Sequence, residues 1–418
     1  MTKIFFYFPY YEECGVPILF LRISRWLAKN HPNEYDVYVC DFADGAMARN
    51  IKKNDNVKVA LAGSTKGITI MDNDILIMQS LVPYYWPKEL HIAPKAKIFY
   101  WTLHFRNLTP SLLPFPWLRE LPFRYRSIFR FCSLFHKKRI LGIAEMIQDM
   151  MRHNAHYFMD ISTQKQCELH IPIRKPQNMD YLPVPASDYL GPYKKHDPNK
   201  LIIDACWLGR ISYEKTPILI HTLEACSKHA CKHKQKIRFH ILGFGEYVDK
   251  INKLEVDNEY FTKFTIHSIR FNEINKYLLD NVDVMFAMGT SALEAAKLKI
   301  PTVLVDCTPS MHPIKGDYLF KFIDERCCYD LGHCITSKDM QNGNNSIDEV
   351  FMQLKTNYDK VAINCYNHFN AKHSLSSVGA KLYDILQKMN YTFDMINPKT
   401  IERPWLLDKY NTLRGLDR

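Results

Sequence analysis

Three short segments of this 418-residue chain carry residue types that can hold an anion. The first is Trp207-Leu208-Gly209-Arg210-Ile211-Ser212-Tyr213-Glu214-Lys215, in which a glycine permits a tight exit from an apolar run. Arg210 and Lys215 then stand close enough to converge on one anion, for which a diphosphate is the natural guest. Two solvated loop charges are the competing reading. The second segment, Ile241-Leu242-Gly243-Phe244-Gly245-Glu246, has two glycines that let backbone approach a ligand. It lacks the third glycine of a dinucleotide fingerprint, so in isolation it reads better as a structural turn. The third runs Ala287-Met288-Gly289-Thr290-Ser291-Ala292-Leu293-Glu294. A helix is expected to begin near Thr290, where free amides and hydroxyls suit an anion and Glu294, one turn in, can accept from sugar hydroxyls. A plain Ser/Thr N-cap with a first-turn glutamate is the alternative.

These segments need a scaffold that places strand ends together. Each follows a predicted strand, at 201–207, 237–242 and 282–287, and further strands are expected at 264–267 and 302–305. Earlier in the chain, apolar runs at 3–8, 35–40, 75–78, 97–101 and 156–161 alternate with helical stretches at 18–28 and 163–169. Such alternation implies an α/β fold with parallel sheets covered by helices on both faces. The length exceeds the ~250–300 residues at which one core stops growing, so two domains are expected. Residues 189–199, polar with two prolines, read as the linker. The expected division is 1–190, 200–390 and a tail, 391–418, that returns to the first domain after a helix over 374–389.

Taken together, the three loops resemble the nucleotide-binding half of the GT-B glycosyltransferases, most closely family 4 (group 1), over about residues 201–306. The resemblance implies two Rossmann-like doubly wound domains facing across a cleft. It also implies transfer of a sugar, with retained configuration and without a metal, from a UDP- or GDP-type donor to a saccharide acceptor. By that likeness Arg210 and Lys215 stabilise the departing diphosphate, Thr290 and Ser291 contact phosphate beside Gly243, Gly245 and Gly289, and Glu294 holds the ribose. Ser268 and Ile269 would lie beside the base. In the first domain, Gly15 occupies the turn after strand one that faces the donor phosphates in the family, and His104 stands at a strand end where relatives carry a histidine near the transferred sugar. His104 in a packing or loop role is the competing reading. One departure stands out. The family has a glutamate eight residues before the ribose-binding one, and this chain has Phe286 there.

Between 119 and 139, Arg119, Arg124, Arg126, Arg130, Lys137, Lys138 and Arg139 interleave with large apolar residues. That mixture suits a helix in an anionic membrane interface, and equally a core-packed helix with a basic rim. The formal net charge of +11 favours acidic partners. Nucleic acid is not the expected one. The twelve cysteines form no regular framework and are read as reduced. Cys226 and Cys231, with histidines scattered nearby, match no structural zinc spacing, and no metal or cofactor beyond the donor is expected. Asp72-Asn73-Asp74 superficially resembles a metal-binding Asp-x-Asp but reads as a turn before a strand.

No run of about 18 apolar residues occurs. The expectation is therefore a cytoplasmic enzyme, placed at the inner face of the membrane by a lipid-linked acceptor in bacterial surface-polysaccharide assembly. A nucleotide-sugar 2-epimerase of the same fold and an inactive GT-B-like binding protein are the alternatives.

Overall fold

The apolar runs of the first part of the chain assemble, in the computed structural model, into one parallel sheet. The structure describes residues 1–79, 86–109, 118, 121, 126–174, 180–266, 269–270, 273–308, 314, 318–335 and 343–401. The strands are β1 (Thr2–Tyr7), β2 (Tyr35–Asp41), β3 (Val57–Leu61), β4 (Ile68–Ile70), β5 (Ile75–Met78), β6 (Leu90–Ile92), β7 (Lys97–Thr102) and β8 (His156–Phe158). The main sheet has the order β3-β2-β1-β5-β7-β8, with every neighbouring pair parallel. Residues 75–78 are all buried, as strands covered on both faces require. Strand β8 is shorter than the apolar run 156–161 suggests. The Asp160 carboxylate accepts from the Thr163 amide at 2.6 Å and starts the helix Ile161–Glu168 instead.

Asp72-Asn73-Asp74 is a turn with Asn73 at φ 67°. Its carboxylates are taken by backbone: Asp74 accepts from the amides of Lys3 and Met71, and Asp72 from that of Lys95.

A second sheet holds β9 (Ile202–Leu208), β10 (Lys236–Leu242), β11 (Phe261–Ile266), β12 (Val284–Ala287), β13 (Thr302–Leu304) and β14 (Lys321–Phe322), in the order β11-β10-β9-β12-β13-β14. Only the edge strand β14 is antiparallel. The aromatic side chains of Trp207, Phe239, Phe261, Phe286 and Phe320 fill its core.

The chain divides into two compact units, Val184–Ser377 and Met1–Pro183 together with the chain from Val378 onward. The division therefore differs from the one expected at 190 to 200. Residues 184–199 belong to the second unit because they are anchored there: Val184 and Tyr189 pack on its core, the Lys194 amide donates to the Leu298 carbonyl, and Lys194 Nζ lies 3.4 Å from Asp283. The return to the first unit also begins earlier than 391, inside the helix Leu375–Lys388. Tyr383 stacks on His31 with ring centroids 3.7 Å apart. The Tyr391 carbonyl accepts from the Ile98 amide, and the Phe393 amide donates to the Ala96 carbonyl. Gly379 makes the closest approach, since a Cβ there would lie 2.3 Å from the Trp26 ring.

In the second unit a buried ion cluster fixes the segments that follow β13. Arg326 donates to both Asp306 oxygens at 2.9 Å and to Asp330 at 2.9 Å, while the Tyr318 hydroxyl donates to Asp306. His333 Nδ1 lies 3.2 Å from Asp306, 3.3 Å from Asp330 and 3.1 Å from the Arg326 guanidinium. Burial opposes charge on His333, but hydrogen bonds and attraction to the two carboxylates outweigh it and raise its pKa to about 10. Burial opposes charge on Asp306 as well, and the His333 hydrogen bond and the Arg326 charge hold it well below the usual carboxylate range.

Two outcomes test these packings. Gly379→Leu forces a side chain into the Trp26 ring and is expected to cost about 1–3 kcal/mol, read as a lowered melting temperature; an unchanged melt would contradict the close approach. The raised pKa of His333 has a definite sign. Its contribution is complete below the unfolded value of about 6.5 and is lost as pH rises through about 10. Wild-type stability should fall across that window, and His333→Asn should flatten the fall. A wild-type profile as flat as the variant's would show that His333 is not held charged.

Candidate functional site

The strand order of the second unit reverses between β9 and β12, because the chain goes from β9 outward to β10 and β11 and returns on the other side. Ligands of open parallel sheets bind beyond the carboxyl ends of the strands at such a switch point. The loops leaving β9 and β12 are the first and third segments of the sequence, and they face each other. A Cβ built on Gly209 would lie 3.9 Å from Ser291 Oγ.

The second segment seats the first. A Cβ on Gly243 would lie 2.2 Å from the Gly209 carbonyl oxygen, and one on Gly245, at φ 149°, 2.3 Å from that of Ile211. Backbone bonds lock the two loops together, from the Gly209 amide to the Leu242 carbonyl and from the Ile211 amide to the Phe244 carbonyl. Close backbone approach is thus what Gly243 and Gly245 permit, and the backbone they admit is the protein's own.

The electrostatics of the first loop are one-sided. Lys215 is the N-cap residue of the 18-residue helix Thr216–His233, which has a proline in its opening positions and no acidic residue in its first turn. The helix end already carries positive partial charge, so placing a lysine on it is unfavourable unless an anion joins. Lys215 is half-buried and makes no ion pair among the described residues. Burial lowers its pKa and Arg210 adds to the effect, against Glu214. Arg210 is exposed, with its guanidinium 4.0 Å from Glu214. Ser212, 7% exposed, holds a hydroxyl with no partner among the described residues. Two cations, a helix end and an unused buried hydroxyl thus lie within seven residues, a grouping whose chemistry suits an anion.

The third loop turns at Gly289, whose φ of 61° favours glycine and whose missing Cβ faces open space. Gly289 itself is the N-cap of the helix Thr290–Ala296, so the Ser/Thr cap reading does not hold: Thr290 and Ser291 lie inside the first turn and make no cap bond. Glu294 is buried and ion-paired with Lys297, itself buried. Lys297 was not singled out from sequence, although its position three residues after Glu294 is the signal that finds it. The lysine fixes the carboxylate while leaving lone pairs that can accept from hydroxyls.

Phe286 is fully buried, with its ring 5.9 Å from that of Phe239 and 5.8 Å from that of Phe320. This position belongs to the hydrophobic core of β12. The ion cluster of Asp306, Arg326 and His333, unnoticed in the sequence, supports both loops from below: the Gly289 amide donates to the Leu331 carbonyl, and the Thr308 amide to that of Glu214.

Ile269 is partly buried against the core of the second unit. His267 and Ser268 lie outside the described residues.

In the first unit, Gly15 opens the 16-residue helix Gly15–Asn30 directly after β1, and a Cβ there would meet nothing within 4 Å. That helix also has no acidic residue in its first turn. His104 lies at the surface just beyond β7, and its Nδ1 accepts from the Arg106 amide at 3.2 Å. Desolvation of the ring, then the Arg106 guanidinium, lowers its pKa.

Of the basic segment, Leu121 and 126–139 are described, the latter forming the helix Arg126–Phe135 and, after His136, the start of Lys137–Arg152; Arg119 and Arg124 lie outside the described residues. Phe129 and Cys132 are buried, whereas Phe131, Leu134 and Phe135 are 63%, 71% and 75% exposed beside exposed Arg130, Lys137 and Lys138. Among the described residues no helix is long and apolar enough to cross a membrane. The twelve cysteines are thiols.

Compared with protein-family models and with curated proteins, the sequence has no match. Solved structures do match it in fold. The lipopolysaccharide outer core galactosyltransferase WaaB aligns over 93% of this chain and 99% of its own, with 10% identity and a TM-score of 0.52. The N-terminal domain of trehalose-6-phosphate phosphatase from Candida albicans aligns over 93% and 97%, with 10% identity and a TM-score of 0.51. A glycosyltransferase from Rickettsia africae aligns over 93% and 98%, with 11% identity and a TM-score of 0.49. With two Rossmann-like sheets and the likeness to WaaB over nearly its whole length, the chain has the GT-B fold.

Proposed function

We propose that this chain is a metal-independent, retaining glycosyltransferase of the family 4 type, which moves a sugar from a UDP- or GDP-type donor to a saccharide acceptor. One observation carries the reading: Lys215, half-buried at the positive end of an 18-residue helix, has no carboxylate partner among the described residues and stands at the switch point of a GT-B sheet. As the bond between the anomeric carbon and the phosphate oxygen breaks, negative charge grows on the diphosphate. Arg210, Lys215 and the amides at the starts of the helices Thr216–His233 and Thr290–Ala296 are donors already in place for that charge, the role a metal ion plays elsewhere. Thr290 and Ser291 add hydroxyls, and Glu294, steadied by Lys297, accepts from the ribose. With a core phenylalanine at 286, no carboxylate at that position contacts the donor sugar, and retention rests on the placement of donor and acceptor. His104, neutral at pH 7 and carrying its proton on Nε2, is assigned to the transferred sugar.

A lipid-linked acceptor is favoured by the exposed face of Phe131, Leu134 and Phe135 beside Arg130, Lys137 and Lys138. A core-packed helix would bury those three side chains, whereas an interface takes the apolar ones into acyl chains and the cations onto anionic headgroups. We place the work of such an enzyme at the inner face of the cytoplasmic membrane, where a lipid-linked acceptor lies, in surface-polysaccharide assembly; the similar WaaB structure is a lipopolysaccharide outer core galactosyltransferase.

The test supplies UDP-sugars and GDP-sugars with a lipid-linked saccharide in anionic vesicles and follows release of nucleoside diphosphate. One donor class should be consumed, and Lys215→Ala should lower kcat by about 10²–10³-fold with an unchanged circular dichroism spectrum. The wild type should also sediment with the vesicles, and Phe131→Glu with Phe135→Glu should not. Turnover that survives in Lys215→Ala, or isomerised sugar with no diphosphate released, would overturn the transferase reading.

A further inference from the structure

Far from the loops just described, the last turn of the helix Thr216–His233 places His229 and His233 on one face, four residues apart. The helix starts at the carboxyl end of β9 and ends just before β10 begins, so about 27 Å, at 1.5 Å per residue, separates this turn from Lys215. Across from it, in the first turn of the helix Ile347–Lys372, stands Asp348. One ligand atom from each of the three residues lies within 4.8 Å of the other two.

The two carboxylate oxygens of Asp348 divide their partners. His229 Nδ1 lies 2.6 Å and His233 Nε2 3.4 Å from Oδ1, while Lys232 Nζ is bound to Oδ2. A cation with bonds of about 2.0–2.1 Å in tetrahedral geometry keeps its ligand atoms a little over 3 Å apart. The His233 contact already has that spacing, and the His229 contact must open by well under 1 Å. Lys232 can stay on Oδ2 as an outer partner that orients the carboxylate. His229 is held on both sides: its ring stacks on Phe351 at 4.5 Å, and its Nε2 lies 3.4 Å from Gln235 Oε1, the arrangement that leaves Nδ1 as the electron-pair donor. The His229 side chain is 4% exposed and that of His233 44%, so the site is buried on one side and open to a water ligand on the other.

We propose that His229, His233 and Asp348 bind a divalent transition-metal ion of the zinc class, the metal taking the place of the proton shared between His229 and Asp348. Two imidazoles, one carboxylate oxygen and a water suit Zn²⁺, Co²⁺ or Ni²⁺ and not Mg²⁺ or Ca²⁺, which prefer oxygen ligands. At this distance from the anion-binding loops the ion takes no part in donor chemistry. It clips the end of one helix to the start of another that lies 119 residues away along the chain from His229 to Asp348.

Metal-free, untagged full-length protein titrated with Co²⁺ should take up about one equivalent with the visible absorption of a tetrahedral nitrogen and oxygen site, and Zn²⁺ should bleach it. Zn²⁺ should also raise the melting temperature. His233→Ala, at the open side of the site, and Asp348→Asn, which keeps the side-chain shape, should each lower Co²⁺ affinity by at least about 10-fold and abolish the Zn²⁺ shift in melting temperature, with unaltered circular dichroism. Absence of the absorption band in the wild type, or wild-type affinity and Zn²⁺ response in both variants, would overturn the assignment.

Discussion

The proposed function of the second unit rests on one poorly balanced charge. Lys215 sits half-buried on the positive end of a long helix, beside Arg210, and forms no ion pair among the described residues. Such a group is costly to hold in an unliganded protein, and its lowered pKa expresses that cost. Under the proposed reading, an anion bound between the loops offsets that cost.

Three constraints hold the Lys215 loop. The topology of the sheet brings the ends of β9 and β12 side by side, so that Gly209 and Gly289 turn toward a common space. The two glycines after β10 admit the backbone of the first loop at distances no side chain allows, which fixes the path from Gly209 to Ile211. Beneath both loops, Arg326 and His333 neutralise Asp306 and Asp330 in a cluster whose neighbouring backbone bonds reach Gly289 and Glu214. A buried cluster of this kind is worth little as net stability but tolerates few geometries.

Much of this was legible in the sequence because parallel strands buried on both faces leave unbroken apolar runs, and the loops between them carry glycine. The three loops and the start of the helix at Thr290 follow from that pattern. The domain boundary does not, since 184–199 looks like a linker by composition yet is tied down by Lys194, Val184 and Tyr189, which only the fold brings to their partners. The same is true of the ion cluster: Asp306, Tyr318, Arg326, Asp330 and His333 share no period and meet only after β14 has folded back along β13. The run 156–161 misled because Asp160, read as part of the strand, is a helix cap. The partnership of Glu294 with Lys297 was visible as spacing but not as burial, and Phe286 could be seen to depart from the family pattern, while its place in the core needed the sheet.

The account stands on the diphosphate being the group that the loop from Gly209 to Lys215 recognises. Calorimetric titration with UDP and GDP, each compared with its unphosphorylated nucleoside, measures that directly. The prediction is that one diphosphate binds far more tightly than its nucleoside and that Lys215→Met removes most of the difference. Equal affinities for diphosphate and nucleoside, or a difference that Lys215→Met leaves intact, would contradict it.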